Sequence, residues 1–110
     1  QGVSITDRVT EPLLCVSGDT QIELFDREEV VRRCNVLLYE VTSWDERSDV
    51  EKTRRWGHTH IDELAVRAEQ FAGETLVLVH RGGRYSLAEA EAILSKKFPR
   101  QALERTVIFP

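Results

Sequence analysis

Apolar residues in this chain fall into four short runs that are separated by segments with helical spacing. The runs are LLCVS (13–17), VLLYEV (36–41), TLVLVH (75–80) and TVIF (106–109). Short apolar runs bounded by turn-forming residues are typical of buried strands, so we predict four of them. Because the first three runs do not alternate apolar with polar residues, we expect those strands to be covered on both faces.

Each interval between the predicted strands carries a helical pattern. The predicted helix starts are Asp26, Thr59 with Asp62 in the capping-box position, and Ser86 with Glu89 as a full capping box. Residues 49–56 are predicted to form a further helical turn, and Pro99 is predicted to end the last helix. The resulting order, β-α-β-α-β-α-β, predicts an α/β fold.

Composition limits the size and class of the protein. The chain has 110 residues, of which 41% are hydrophobic and 31% charged, and its net charge is −4. These values fit a single small domain or a half-domain. No apolar run approaches the ~20 residues that span a bilayer, so we expect no membrane association. The first residue is Gln1 rather than Met, and we therefore expect a piece of a longer protein.

The acidic balance argues against a dedicated non-specific nucleic-acid binder, which usually carries a basic surplus. Three basic pairs are expected to be solvated helix faces: Arg32–Arg33, Arg54–Arg55 and Lys96–Lys97. Two cysteines, Cys15 and Cys34, are too few for a disulfide framework, and free buried thiols are predicted. Free thiols favour an intracellular, reducing compartment: the cytoplasm, the nucleus or an organelle.

Polar residues collect where the predicted strands end. Asp19 follows the first strand, Glu40 and Thr42 end the second, and His80 ends the third, while His58 stands at a helix entrance. In parallel sheets, ligands bind beyond the carboxyl ends of the strands, so these residues are candidates for one site. His80 alone allows two interpretations, a core histidine satisfied by a backbone partner or a ligand on a rigid edge.

Four segments in order, VSGDT, LLYEVTSWDE, GHTHIDELAVRAEQF and TLVLVHRGGRYS, resemble the carboxyl-terminal half of ribonuclease Z. That family comprises tRNA 3′-processing endonucleases of the metallo-β-lactamase superfamily. The opening segment QGVSITDRVTEP is similar to the family's sequence before the first motif. The resemblance implies that the chain is the C-terminal half of a metallo-β-lactamase-type αββα sandwich.

The resemblance also implies a role for each residue at the strand ends. Asp19 matches an aspartate that bridges two zinc ions, and His80 matches a histidine ligand of the second zinc. Glu40 matches a glutamate that orients a histidine, and His58 matches that histidine, which protonates the departing ribose oxygen. Two zinc ions lower the pKa of a bound water and clamp the attacking and leaving oxygens.

Weaker substrate-binding candidates are Thr42, Arg84 and Tyr85. Arg84 could hold a phosphate through a bidentate contact or bridge to a neighbouring acid. Trp44 and Trp56 flank the site in sequence; packing is favoured for each, with stacking on RNA bases as the alternative.

Several residues depart from the family pattern. Tyr39, Val41 and His60 replace a histidine, an alanine and a threonine of its motifs, and we expect His60 to be a surface residue. The His-x-His-x-Asp-His motif, which supplies most zinc ligands, does not occur in the chain, and the tRNA-clamping arm is not recognisable. Asp19 and His80 are two ligands where two zinc ions need about six. We therefore expect activity only together with an N-terminal half that lies upstream.

Two other functions stay open at this point. The chain could be a non-catalytic interaction module, present as a homo-oligomer or as a subunit of a larger assembly, because half a sandwich would expose an apolar sheet face. It could also be a structural α/β domain whose polar strand ends are loop caps. If the catalytic interpretation is right, the expected substrate is a tRNA precursor.

Overall fold

The computed structural model describes residues 14–18 and 20–109. A four-stranded parallel sheet has the order β1-β2-β3-β4, with β1 (Leu14–Val16), β2 (Val36–Glu40), β3 (Thr75–Val79) and β4 (Thr106–Ile108). The helices are α1 (Glu23–Arg27), α2 (Glu29–Arg33), α3 (Val50–Arg55), α4 (Ile61–Ala65), a 3₁₀ turn (Ala68–Gln70), α5 (Leu87–Lys97) and α6 (Arg100–Leu103). None of the described helices is long and apolar enough to cross a membrane.

The predicted α/β fold is confirmed, and the four predicted strands all form. Sequential strands lie side by side in the sheet, and parallel connections of this kind are right-handed, so the helices pack on one face. Alternate strand residues point to that face and are buried there with the helices; they include Leu37, Tyr39, Leu76, Leu78 and Ile108. The hydrophobic core of the described chain therefore lies between the sheet and one layer of helices.

The opposite sheet face, which we call the open face, is also apolar. The strand register places on this face the apolar side chains of Leu14, Val16, Val36, Leu38, Val77, Val79 and Val107, with Thr75 among them and Glu40 at the carboxyl edge. Phe109 follows β4 directly and lines the same groove. Val16 is 64% exposed and Phe109 is 62% exposed. The expectation that the first three strands are covered on both faces is thus wrong for the described residues, because all described helices lie on the other side.

Two predicted helix starts are displaced, and one is confirmed. The Ser86 hydroxyl accepts from the Glu89 N–H, as the capping box predicts. The prediction that Asp26 caps the start of a helix is wrong, because Asp26 lies inside α1. Glu28 is the residue that separates α1 from α2.

The start predicted at Thr59 falls one residue later, where His60 caps α4 in a capping box with Glu63. Thr59 is not available as a cap, because its hydroxyl donates to the Thr20 carbonyl oxygen at 2.7 Å. The contact with Thr20 therefore prevents Thr59 from capping the helix that its local sequence predicts. By contrast, residues 49–56 form the predicted helical turn, with Asp49 as its cap.

Both cysteines are free, as predicted, although only Cys34 is fully buried. Its thiol donates to the carbonyl oxygens of Val31 and Val36, each at 3.5 Å. Burial raises the pKa of the Cys34 thiol to about 11. A thiol in this environment is protonated at neutral pH and therefore unreactive.

Candidate active site

Glu40 is the last residue of β2, and its carboxylate is buried at the carboxyl edge of the sheet. One oxygen, Oε1, accepts from the Thr20 N–H at 3.2 Å, and Oε2 accepts from the Thr42 hydroxyl at 2.6 Å. The main-chain N–H of Glu40 donates to the Ser17 hydroxyl oxygen at 3.0 Å. These donors come from the loops after β1 and β2, so the carboxylate is held in one orientation.

His58 reaches this carboxylate from the loop that follows α3. Gly57 has φ 78°, a left-handed conformation that glycine adopts freely, and it turns the chain toward the sheet edge. The His58 N–H donates to the Thr53 carbonyl oxygen at 3.1 Å, which fixes the main chain. The ring Nδ1 lies 3.2 Å from Glu40 Oε1. Since one ring nitrogen faces the carboxylate, Nε2 is left for another partner.

His80 follows β3 directly and is exposed, so the interpretation as a satisfied core histidine is wrong. It has φ 62°, the one left-handed conformation of a non-glycine residue in the described chain. Such residues carry backbone strain and cluster at functional sites. Its ring meets that of His58 edge to face, with centroids 5.6 Å apart and planes at 81°.

Glu40, His58 and His80 together form a group that could hold a metal ion. Each offers one ligand atom, and these atoms lie within 4.8 Å of one another. Two imidazoles and a carboxylate are a donor set that zinc accepts in proteins. Asp19, the other predicted ligand, lies outside the described residues, and the metal roles of Asp19 and His80 stay predictions.

A groove of about 410 Å³ runs from this group along the open face. Its lining residues are Val16, Gly18, Leu38, Glu40, Val79, His80 and Phe109. The groove therefore joins the polar strand ends to apolar side chains of the open face.

A glycine couples the loop that follows β3 to the strand that carries Glu40. The Gly82 N–H donates to the Thr42 carbonyl oxygen at 3.1 Å, and the Thr42 hydroxyl in turn donates to Glu40. A Cβ atom at position 82 would lie 2.7 Å from that carbonyl oxygen, whereas one at Gly83 would meet nothing within 4 Å. The Gly-Gly pair is visible in the sequence, but the sequence does not show that Gly82, and not Gly83, is the glycine that lies against the Thr42 carbonyl oxygen.

Arg84 and Tyr85 hold this loop against the loop that follows β2. The Arg84 guanidinium donates to the Arg47 carbonyl oxygen at 3.2 Å and to the Ser48 hydroxyl at 3.1 Å, rather than to an acid. Tyr85 is buried, its hydroxyl lies 3.3 Å from Asp45 Oδ1, and Arg47 covers its ring at 4.5 Å. Hydrogen bonds from Arg47 lower the pKa of the Asp45 carboxyl. Sequence reasoning missed both Asp45 and Arg47.

His60 is buried, with 1% of its surface exposed, so the expectation of a surface residue is wrong. Its Nδ1 accepts from the Asp62 N–H at 3.0 Å, and its Nε2 lies 3.0 Å from the Asp45 carbonyl oxygen. Both ring nitrogens are therefore occupied by the helix cap and the β2 loop. His60 is a structural residue beneath the site.

Arg54 is also not the solvated basic residue that its sequence context predicted. Its guanidinium pairs with Glu23 and, at 2.8 Å, with Glu63, so that it joins α1, α3 and α4. The Arg54 hydrogen bond lowers the pKa of Glu23, and both acids raise the pKa of Arg54. This ion network holds the end of α3, from which the chain turns to His58.

Two plant proteins are similar to this chain over most of its length. It is 33% identical over 96 residues to tRNase Z TRZ1 of Arabidopsis thaliana, an alignment that covers 86% of this chain and 34% of that protein. It is 36% identical over 96 residues to tRNase Z TRZ2, chloroplastic, of the same plant, covering 84% of this chain and 27% of the relative. The chain thus spans about a third or less of the length of these relatives. No family model matches it.

Proposed function

Because this chain is related to ribonuclease Z over most of its length, we propose that it is the C-terminal part of a zinc-dependent phosphodiesterase that processes tRNA 3′ ends. The observation that carries the proposal is the contact between His58 Nδ1 and the buried carboxylate of Glu40, beside His80. A buried carboxylate behind an imidazole is an arrangement that suits general acid catalysis, because it fixes the orientation of the ring.

The proton donor in this proposal is His58. The carboxylate of Glu40 lies against Nδ1 and fixes the ring plane, so that Nε2 can face the leaving ribose oxygen. Glu40 is itself held by Thr20 and Thr42, which keep the carboxylate from turning away. With its ring held in this way, His58 would donate a proton to the departing 3′ oxygen as the P–O bond breaks.

The residues that would hold zinc are His80 and, from the family resemblance, Asp19. The bound metal would supply an activated water and a clamp on the phosphate oxygens. These two residues are fewer than two zinc ions require, so the remaining ligands must come from another segment. We assign them to an N-terminal half that carries the histidine motif.

The exposed apolar side chains of the open face also support the proposal that an N-terminal half packs against this chain. Monomeric proteins rarely expose large contiguous apolar patches, and Leu14, Val16, Val107 and Phe109 are each more than half exposed. A second sheet packed on this face would complete an αββα sandwich and would close the groove beside Glu40 and His80. The aligned relatives are long enough to contain such a layer.

A direct test joins this chain to the upstream half of a tRNase Z and measures 3′ cleavage of precursor tRNA with zinc present. We expect cleavage, and we expect His58→Ala to lower kcat by roughly 10²–10⁴-fold while the protein stays folded. The exposed Lys96→Ala should leave kcat unchanged. A stable joined protein that binds zinc and does not cleave would contradict the proposal.

The second candidate is a non-catalytic interaction module, and the exposed apolar face favours it specifically. In that case the chain would bind a partner or a second copy through the open face, and His58→Ala would change neither binding nor any cleavage. Sedimentation distinguishes the modes of association: self-association of the 110 residues that disappears on adding the upstream half supports the first proposal. Two free thiols support a reducing compartment for either function.

A further inference from the structure

The two tryptophans that flank the site differ sharply in exposure. Trp44 is fully buried, and its indole N–H donates to the Val41 carbonyl oxygen, so the packing interpretation is confirmed for it. Trp56 is 54% exposed, so it is not packed within the part of the chain that the structure describes. Its main-chain N–H is bonded to the Lys52 and Thr53 carbonyl oxygens at the end of α3. Trp56 is therefore a large exposed aromatic on a fixed backbone.

Two cations lie beside Trp56 on the same short helix. Lys52 and Arg55 are exposed, and among the described residues neither makes an ion pair, although Glu51 lies one turn before Arg55. Positions three and four apart share a helix face, so Lys52 lies on the side of Arg55 and Trp56. Arg54 between them is already paired with two acids. The chain is acidic overall, but this surface offers two unpaired positive charges next to an indole.

This surface is close to the proposed proton donor. Only Gly57 separates Trp56 from His58, so their Cα atoms are at most about 7.6 Å apart. A stacked nucleic-acid strand advances about 3.4 Å per nucleotide. The Trp56 backbone therefore lies within about two or three nucleotide lengths of a phosphate held at His58.

We propose that Trp56 stacks an unpaired RNA base next to the cleaved phosphate, while Lys52 and Arg55 contact the flanking phosphates. Aromatic side chains bind bases of any sequence in this way, and neighbouring cations follow the strand. This inference rests on the proposed function, because it assumes that the reacting phosphate lies at His58. It assigns the surface a role in substrate affinity rather than in the chemical step.

The experiment uses the joined, cleavage-competent protein and two readouts. Trp56→Ala should raise KM for precursor tRNA about tenfold with little change in kcat, and Trp56→Phe should retain part of the affinity. Val66→Ala, at an exposed apolar position on another helix end, is the matched control. With an abasic ribose placed at each flanking nucleotide in turn, the Trp56→Ala penalty should disappear at one position, which identifies the stacked base.

Fluorescence provides an independent measurement, because Trp44 is buried and Trp56 is exposed. RNA should quench the emission of the unsubstituted protein, and Trp56→Phe should abolish that quenching. Replacing Lys52 and Arg55 by alanine should lower the salt dependence of binding by about 1.4 in the log–log slope, whereas the Lys96/Arg100 double substitution should not.

The outcomes separate the two proposals. Cleavage that is equally efficient in Trp56→Ala, with quenching that survives in Trp56→Phe, overturns the stacking role and leaves the proposed function intact. A blue shift of Trp56 emission on joining the upstream half, before RNA is added, would assign Trp56 to the contact between the halves and also overturn it. Failure of the unsubstituted joined protein to cleave would instead refute the proposed function.

Discussion

Replacing Glu40 by glutamine tests whether the buried carboxylate acts in catalysis or only in folding. The substitution keeps the size of the side chain but removes its charge. Oε1 is shared by the Thr20 N–H and His58 Nδ1, and Oε2 accepts from the Thr42 hydroxyl. A glutamine oxygen at the Oε1 position preserves the first two contacts, and the Thr42 hydroxyl can rotate to accept from the new amide. The long contact in which the Thr59 N–H donates to Oε2 at 3.5 Å is lost. The geometry around His58 should therefore survive.

The expected change in stability is small. Hydrogen bonds to an ionised acceptor contribute about 1.5–3 kcal/mol and neutral ones about 0.5–1.5 kcal/mol, so two weakened bonds at Glu40 cost about 2 kcal/mol. Removing a buried charge also relieves its desolvation penalty, which offsets part of that loss. We expect the free energy of unfolding to fall by about 1–2 kcal/mol. Urea denaturation measures it, with the exposed Glu46→Gln as the control.

The expected change in rate is much larger, because the neutral amide removes the negative charge that faces the His58 ring while the proton is transferred. General acid catalysis contributes roughly 10²–10⁴-fold, so kcat of the joined protein should drop toward the value of His58→Ala. Combining Glu40→Gln with His58→Ala should cost little more than either change alone. If Glu40→Gln unfolds more easily but cleaves within about threefold of the unsubstituted protein, the carboxylate is a loop cap and the catalytic argument fails.

Two further substitutions test the loops that carry the site. Gly82→Ala should lower the free energy of unfolding by about 1–3 kcal/mol and lower kcat, because its Cβ would press on the Thr42 carbonyl oxygen. Gly83→Ala, the control, should change the free energy of unfolding by less than about 0.5 kcal/mol. Equal effects of the two substitutions in urea denaturation would exclude the close approach. Asp45→Asn should lower the free energy of unfolding at pH 7. Arg47 lowers the pKa of Asp45 below its ordinary value of 3.8, so the ionised carboxylate stabilises the folded state at pH values above 3.8. That difference should shrink as the pH falls below 3.8, and a difference independent of pH from 7 to 3 would rule out the ion pair as its source.

Sequence patterns predicted the strands well because strand formation here depends on local composition. Each apolar run became a strand at the expected place, and Ser86 began its helix as its capping box indicates. Helix starts that involve tertiary contacts were predicted less well. Thr59 has the right residue type for a cap, but Thr20 takes its hydroxyl and His60 replaces it. No local signal shows that a hydroxyl is engaged by a residue 39 positions away.

The candidate site shows the same division between local and distant causes. Glu40 and His80 could be placed at one edge because parallel strands end together, and the structure brings His58 to the same edge. The burial of His60 could not be predicted, because it depends on the Asp45 carbonyl oxygen reaching its ring from another loop. Both ring nitrogens of His60 are engaged in hydrogen bonds, one with the Asp45 carbonyl oxygen and one with the Asp62 N–H. Its residue type makes a histidine a possible metal ligand, but the hydrogen bonds to its ring nitrogens decide whether it can bind a metal.

One physical explanation would account for both the open face and the incomplete ligand set of the proposed zinc site. The strand sequences are apolar on both sides, and such strands need a covering layer on each. The described chain supplies helices on one side only, and the uncovered side ends at Glu40 and His80. A single added layer would bury Val16 and Phe109, close the groove, and bring new side chains to the edge where ligands are lacking. A partner that covered the open face without reaching that edge would support the interaction module, so the position of the contact separates the two functions.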